Sequence, residues 1–423
     1  MLWKIRKTEA FMSTLKGNAV VGQSGGPTAA INATLAGVIN GAREAQKKGI
    51  INTLYGMKNG IEGFLREDLI DLFEAVRDEE DVKTLSLTPA AALGSCRRKM
   101  KSYEVDGDTY AELLRIFKKY DIRYFFYIGG NDSMDTVLKL SEYASAHDYE
   151  MRVVGVPKTI DNDLMGTDHT PGFGSACKFV ATTIKEILRD VSVYTMKAVT
   201  IVEVMGRDAG WLTTSAALPF ISGGEGPDLI YLPERAFDVD TFVKDVNLAL
   251  EKHPAVLVAI SEGARFADGE YVGAGTQSGA VDAFGHKYLS GAGKVLESIV
   301  REKIGCKVRS IELSLPQRCA AHISSLADIT ESLGVGAHAV ELATGGATGV
   351  MATIDRAEGD TYSVSYGCSD IAGIANAIKT VPDEFINEEG NGISEACLAY
   401  LAPLISGETS PEYENGLPKH FVF

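Results

Sequence analysis

Apolar runs that break off in glycine or charge, each followed by a stretch of helical period, recur along most of this chain. A short continuous apolar run reads as a strand buried on both faces, and the helix-period stretch behind it covers one of them. Repetition of that unit builds a mainly parallel sheet between helical layers. Asn18–Gln23 predicts a strand, followed by the turn Ser24-Gly25-Gly26-Pro27 and a helix from about Thr28 to Lys47. Arg123–Ile128 predicts a second strand, running through Gly129-Gly130-Asn131-Asp132 into a helix over about Ser133–Ala146. Met151–Val156 predicts a third, ending at Pro157. Ala198–Val204 and Ala255–Ile260 read as further strands, with helices near Gly174–Asp190, Ala292–Lys303 and Ser324–Thr344.

At 423 residues the chain is long enough for two domains. No fixed-period repeat and no low-complexity linker divides it, so the halves are expected to pack closely around a cleft. Hydrophobic residues make up 45% and charged residues 23%, a globular balance. No apolar run approaches the roughly 20 residues that cross a bilayer. Met1–Lys16 mixes Lys4, Arg6 and Lys7 with Phe11 and Met12 but lacks an apolar core with a cleavage site, and reads as a short N-terminal extension. The expected location is cytoplasmic. Six scattered cysteines without Cys-x-x-Cys spacing fit thiols in a reducing compartment, and the seven histidines show no metal-ligand spacing.

The net charge of −16 disfavours non-specific nucleic-acid binding. It also makes lysines and arginines beside glycine loops informative, because an acidic protein must concentrate cations locally to hold a polyanion.

Ligands of parallel sheets bind at the carboxyl ends of strands, and the unusual clusters of this sequence fall at such ends. Paired glycines at Gly25-Gly26 let backbone N–H groups approach an anion at a helix N-terminus; the same residues also suit a tight turn with no ligand. Gly129-Gly130-Asn131-Asp132-Ser133 repeats the device. Asp132 there either helps hold Mg²⁺ against phosphate or caps the helix beginning at Ser133. Pro157-Lys158-Thr159-Ile160-Asp161-Asn162-Asp163 is the densest cluster, with a cation, a hydroxyl and two carboxylates directly after an apolar strand. One carboxylate can take a proton from an attacking hydroxyl while the other orients it, and Lys158 can neutralise phosphate oxygens. Met205-Gly206-Arg207-Asp208 and Ser261-Glu262-Gly263 end strands too, where Arg suits bidentate phosphate binding and Glu suits sugar hydroxyls, or both form surface ion pairs. Arg97-Arg98 after Leu93-Gly94-Ser95, together with Arg309 and Arg318, adds cations.

In order and spacing, Ser24-Gly25-Gly26, Leu93-Gly94-Ser95-x-Arg97, Gly129-Gly130-x-Asp132-Ser133, Thr159-Ile160-Asp161-Asn162-Asp163, Glu203-Val204-Met205-Gly206-Arg207, Ser261-Glu262 and Gln317-Arg318 resemble the motifs of the 6-phosphofructokinases. The resemblance runs from about Asn18 to Thr344. It implies two Rossmann-like three-layer α/β domains with mainly parallel sheets. One would take residues 17–172 with about 317–370 and bind the phosphate donor; the other would take 173–316 with about 371–423 and bind the sugar phosphate. Within the family the chain resembles the pyrophosphate-dependent branch. ATP-dependent members usually carry Gly where Asp132 and Lys158 stand; the carboxylate would repel a nucleotide α-phosphate, and the lysine would supply charge to a bare pyrophosphate. Asp282-Ala283-Phe284-Gly285-His286 resembles that branch as well.

The roles implied are residue-wise. Gly25, Gly26, Gly130, Asp132, Arg97 and Lys158 would hold the donor, with Arg97 on its transferred group. Asp161 would accept the proton of the sugar 1-hydroxyl, supported by Asp163. Thr159, Met205, Gly206, Arg207 and Glu262 would line the sugar-phosphate site, and Arg309 and Arg318 would hold the 6-phosphate, Arg309 from a neighbouring subunit of a homodimer or homotetramer. Mg²⁺ would rest on Asp132 and Asn131. Three positions depart from the family pattern: Asn131 replaces the usual metal-binding Asp, Leu315 a His on the 6-phosphate, and Ala198 an inter-subunit Arg for which Lys197 is the nearby cation. An ATP-dependent enzyme, a non-catalytic regulatory subunit that binds sugar phosphate, and a dinucleotide-binding oxidoreductase are the competing readings. The last lacks a Gly-x-Gly-x-x-Gly loop.

Overall fold

The computed structural model describes residues 15–274, 291–359 and 361–423. Residues 1–14 of the expected extension and the motif Asp282–His286 lie outside the described residues.

Two sheets carry the fold. The larger has seven strands: β1 (Gly17–Gln23), β2 (Ile51–Met57), β3 (Leu69–Asp71), β4 (Ile122–Gly129), β5 (Arg152–Pro157), and, from late in the chain, β10 (Val350–Arg356) and β11 (Val364–Asp370). Their spatial order is β11-β10-β5-β4-β1-β2-β3. The smaller sheet is wholly parallel, with β6 (Ala198–Val204), β7 (Leu229–Tyr231), β8 (Ala255–Ser261) and β9 (Lys307–Glu312) in the order β7-β8-β6-β9. In the larger sheet only the pairs β2–β3 and β10–β11 at its two edges are antiparallel.

The unbroken apolar runs follow from burial on both faces. In β4, Tyr124, Phe126 and Ile128 enter one core with Ala19 and Val21 of β1, whereas Phe125 and Tyr127 enter the opposite core with Val20. In the smaller sheet, Val202 and Val204 face one core and Val199 and Ile201 the other. Edge strand β9 lacks this signature. Lys307–Glu312 alternates exposed and half-buried residues, and β9 shows no apolar run that would predict a strand.

Helix starts differ from expectation at two places. The first helix spans Ile31–Lys47 rather than opening at Thr28, whose hydroxyl instead accepts from the Ala30 N–H at 3.3 Å. The helix after β4 spans Asn131–Ala146 and is capped at Gly130 without a side-chain bond. Asp132 therefore lies inside the first turn, and its expected capping role at Ser133 is not what the structure shows.

Helix Ile31–Lys47 crosses helix Leu326–Thr344 at very short range. A Cβ on Gly37 would stand 2.1 Å from the Leu333 carbonyl oxygen, and one on Gly336 would stand 2.2 Å from that of Thr34. The first helix follows the Gly25-Gly26 turn, and the second follows Gln317-Arg318, so this contact sets one site segment against the other. Asp328 in the second helix also accepts from the N–H groups of Gly172 and Ser175, at 2.9 Å each, and so caps helix Phe173–Val191.

Overpacking a tight contact costs about 1–3 kcal/mol. Gly336→Val is thus expected to lower Tm by several degrees in a thermal melt, whereas Gly107→Ala, where an added Cβ meets nothing within 4 Å, leaves it unchanged. Equal melting temperatures for the two variants would contradict the close crossing.

Candidate active site

β1 and β4 are neighbours, but the chain leaves β1 for β2 on one side and β4 for β5 on the other. The loops at their carboxyl ends therefore diverge and open a crevice. The ends of β6, β8 and β9 in the smaller sheet face the same space, a cavity of about 710 Å³. Gly25, Gly26, Arg97, Gly130, Asn131, Asp132, Lys158, Thr159, Asp161, Asp163, Met205, Arg207, Glu262 and Arg318 line it. Gly206 does not, although its N–H donates to Glu262 Oε1 at 3.3 Å. Arg309 lies on the exposed face of edge strand β9 and does not reach the cavity of its own chain.

Cations converge on the glycine turn. Gly25 holds φ +77°, a conformation natural to glycine, with its N–H donating to the Cys96 carbonyl at 3.1 Å. Lys158 is only 2% exposed and donates from Nζ to the Gly26 carbonyl at 2.6 Å. A Cβ on Gly26 would lie 3.3 Å from Arg318 Nη1 and 3.9 Å from Arg97 Nη2. Burial lowers the Lys158 pKa to about 8; Asp161 pulls it upward, and Arg318 and Arg97 push it down. Burial also lowers the Arg318 pKa. Arg318 stands against the glycine turn.

The loop after β5 carries the acids. Asp161 N–H donates to Thr159 Oγ1 at 3.1 Å, which fixes the turn beside the carboxylate. Burial raises the Asp161 pKa, against the pull of Arg207, the Thr159 hydroxyl and Lys158. Burial, and then the Asp161 charge, raise Asp163 to about 7, while Asn131 Nδ2 donates to its Oδ2 at 3.1 Å. On the opposite wall burial raises Glu262 to about 8. Arg207 Nε donates to Asp208 Oδ2 at 3.1 Å, and Arg265 donates to the other oxygen at 3.2 Å.

Oxygen donors that could take a cation are few. Among the described residues no cluster of three or more His, Cys, Asp or Glu is arranged for a metal. Asn131 Oδ1, however, is buried with no hydrogen-bond partner, one residue from Asp132. Asp132 itself lies 3.5 Å from Lys99. A hard cation such as Mg²⁺ commonly takes one or two protein oxygens, waters and phosphate oxygens, and this pair fits that mode.

Sequence reasoning missed Lys99, Glu312, Ser314, Asn376 and Ile378, all of which line the cavity. Lys99 extends the basic run Arg97-Arg98 and was detectable there. Asn376 and Ile378 belong to a segment with neither a strand end nor a glycine pair, and nothing in the local sequence marks them.

The comparisons with known proteins agree with this architecture. The family model described as Phosphofructokinase matches residues 18–343. A pyrophosphate--fructose 6-phosphate 1-phosphotransferase of Halomonas elongata is 41% identical over 404 residues, 95% of either chain. A protein of the same description from Methylococcus capsulatus is 40% identical over 405 residues, again 95% of either chain. The crystal structure of a pyrophosphate-dependent phosphofructokinase from Nitrosospira multiformis superposes with a TM-score of 0.86 at 39% identity, covering 96% of this chain and 95% of that one. The chain belongs to the phosphofructokinase family.

Proposed function

We propose that this protein transfers a phosphoryl group reversibly from pyrophosphate to the 1-hydroxyl of fructose 6-phosphate, a glycolytic reaction giving fructose 1,6-bisphosphate and phosphate. The observation that carries the reading is Lys158, buried against the Gly26 carbonyl on the same short loop as Asp161 and Asp163. A buried ammonium beside two guanidinium groups is costly unless an anion answers it. A bare pyrophosphate, which has no nucleoside to anchor it, needs such concentrated charge. The relatives named above carry the same activity in their names.

In this reading Gly25, Gly26, Gly130, Arg97 and Lys158 hold the donor. Asp161 takes the proton as the 1-hydroxyl attacks in line, and Asp163 and Thr159 hold Asp161 in place. Met205, Gly206, Arg207 and Glu262 meet the sugar phosphate. Arg318, standing between the glycine turn and the sugar wall, serves the 6-phosphate, and Arg309 serves that of a second copy of this chain, which makes the enzyme a homo-oligomer. Family members generally need a divalent metal; Mg²⁺ is the ion proposed here, held by Asn131 Oδ1 and Asp132, where it would neutralise phosphate charge. The cytoplasm is the proposed location.

A general base contributes on the order of 10²–10⁴-fold. Asp161→Asn is expected to melt no lower than the parent and lose turnover by about that factor in a coupled assay; near-normal turnover would remove Asp161 from the chemistry. Lys158→Gly combined with Asp132→Gly is expected to raise the KM for pyrophosphate about tenfold or more, and an unchanged KM would contradict the donor assignment.

The raised carboxyl pKa values give two pH effects. Turnover requires ionised acids on the Asp161–Asp163 loop, so kcat/KM is expected to fall as pH drops below about 7. The folded state also retains a proton on Asp163 that the unfolded chain releases near its ordinary value of 3.8, so this group lowers stability as pH rises from there through about 7. Asp163→Asn should therefore raise Tm more at pH 8 than at pH 4. An equal gain at both values would contradict the buried, proton-retaining carboxyl.

A further inference from the structure

The carboxylates Asp161 and Asp163 stand on an irregular segment, and Asn162 between them holds φ +52°. Asn162 is fully buried and does not line the cavity, so its side chain turns into the body of the protein while its two neighbours face the site. There its Nδ2 donates to the Tyr400 hydroxyl oxygen at 3.1 Å, and its Oδ1 accepts from Lys379 Nζ at 3.5 Å.

Lys379 is bonded through every polar group it has. Its backbone N–H donates to the Asp163 carbonyl at 2.9 Å. Its ammonium also donates to the carbonyls of Asp168 at 2.7 Å and Thr167 at 3.2 Å. Its own carbonyl accepts from Trp211 Nε1 at 2.8 Å, and Nζ lies 5.1 Å from the centroid of the Trp211 ring. Two residues on, the Val381 N–H donates to Glu234 Oε1 at 3.0 Å, and that oxygen also accepts from the Gly210 N–H at 2.9 Å. Three residues upstream, Asn376 Nδ2 donates to Asp135 at 3.4 Å. Residues 376–381 thus bond in turn to the helix that bears Asp132, to the loop that bears both acids, and to the turn behind Arg207.

We propose that this strap is a positioning element for phosphoryl transfer, with Lys379 its central residue. The bonds fix Asp161 and Asp163 against the wall that carries Arg207. A left-handed non-glycine residue persists where its surroundings over-determine it, and Lys379 with Tyr400 supplies those surroundings. Lys379 does not line the cavity and acts on the two acids from behind their loop. The inference rests on Asp161 being the base, since a displacement of about 1 Å in a reacting group can cost about 10²-fold in rate.

Lys379→Met keeps the backbone bonds and the stem over Trp211 but deletes the ammonium. With pyrophosphate and fructose 6-phosphate, kcat is expected to fall about fivefold or more while both KM values stay within about threefold, because the anion-binding groups lie elsewhere. A smaller fall in kcat, or a larger rise in either KM, overturns the proposal. Amide hydrogen exchange, read without substrate, is expected to quicken over residues 159–168; unchanged exchange also overturns it. This second readout separates the two claims, since a parent enzyme with no pyrophosphate-dependent turnover would overturn the proposed function and leave the exchange result to decide the strap. Should Lys379→Met fail to fold, Tyr400→Phe removes only the hydroxyl between Asn162 and the Asp168 carbonyl, at 2.8 Å from the latter. Its expected effects have the same direction in both readouts, and parental kcat together with parental exchange in that variant overturns the proposal.

Discussion

The contact between Lys158 Nζ and the Gly26 carbonyl joins the two devices on which the site depends. One is a glycine turn that exposes backbone to a ligand. The other is a loop that carries two acids out of the end of β5. The lysine is buried, two guanidinium groups stand near it, and two carboxylates share its loop. Burial pushes the two acids toward neutrality and the lysine toward deprotonation. An entering polyanion would favour the charged form of the lysine. In a chain of net charge −16, the gathering of Lys158, Arg97 and Arg318 at the glycine turn is a local feature of this site.

The scaffold keeps that cluster in register by contacts far from the chemistry. The glycine-lined crossing of helices Ile31–Lys47 and Leu326–Thr344 sets the Gly25-Gly26 turn against the segment that bears Arg318. Asp328 ties the same crossing to the helix that begins at Phe173. The strap around Lys379 closes the third side. Rate in phosphoryl transfer comes mostly from position and charge, so these remote contacts bear directly on it.

The central strands were legible because a strand buried on both faces is apolar throughout, and RYFFYI of β4 divides its side chains between two cores. The motifs at those strand ends were legible for a related reason: glycine pairs and mixed charges do not belong in a core, so they stand out where a core strand stops. Strands away from the sheet centres escaped. β9 alternates charged and apolar residues because it is half solvated, and β10 and β11 return to a sheet begun more than a hundred residues earlier, a pairing that no local pattern encodes. Helix starts were misplaced by a few residues where Gly130 and Ala30, without side-chain bonds, occupy the caps. The strap was invisible, since the partners of Lys379 are scattered from Asn162 to Trp211 and include backbone carbonyls that no sequence pattern marks. Arg309 was legible as a cation, but its place is on an exposed edge outside the cavity of its own chain.

The central claim is the pairing of a nucleoside-free donor with a sugar phosphate. The most direct measurement is the initial rate of fructose 1,6-bisphosphate formation by the unmodified chain, with pyrophosphate and with ATP as sole donor in parallel. Product is expected with pyrophosphate at a kcat/KM about 100-fold or more above that with ATP. Product formed as readily from ATP, or none from pyrophosphate, would contradict it.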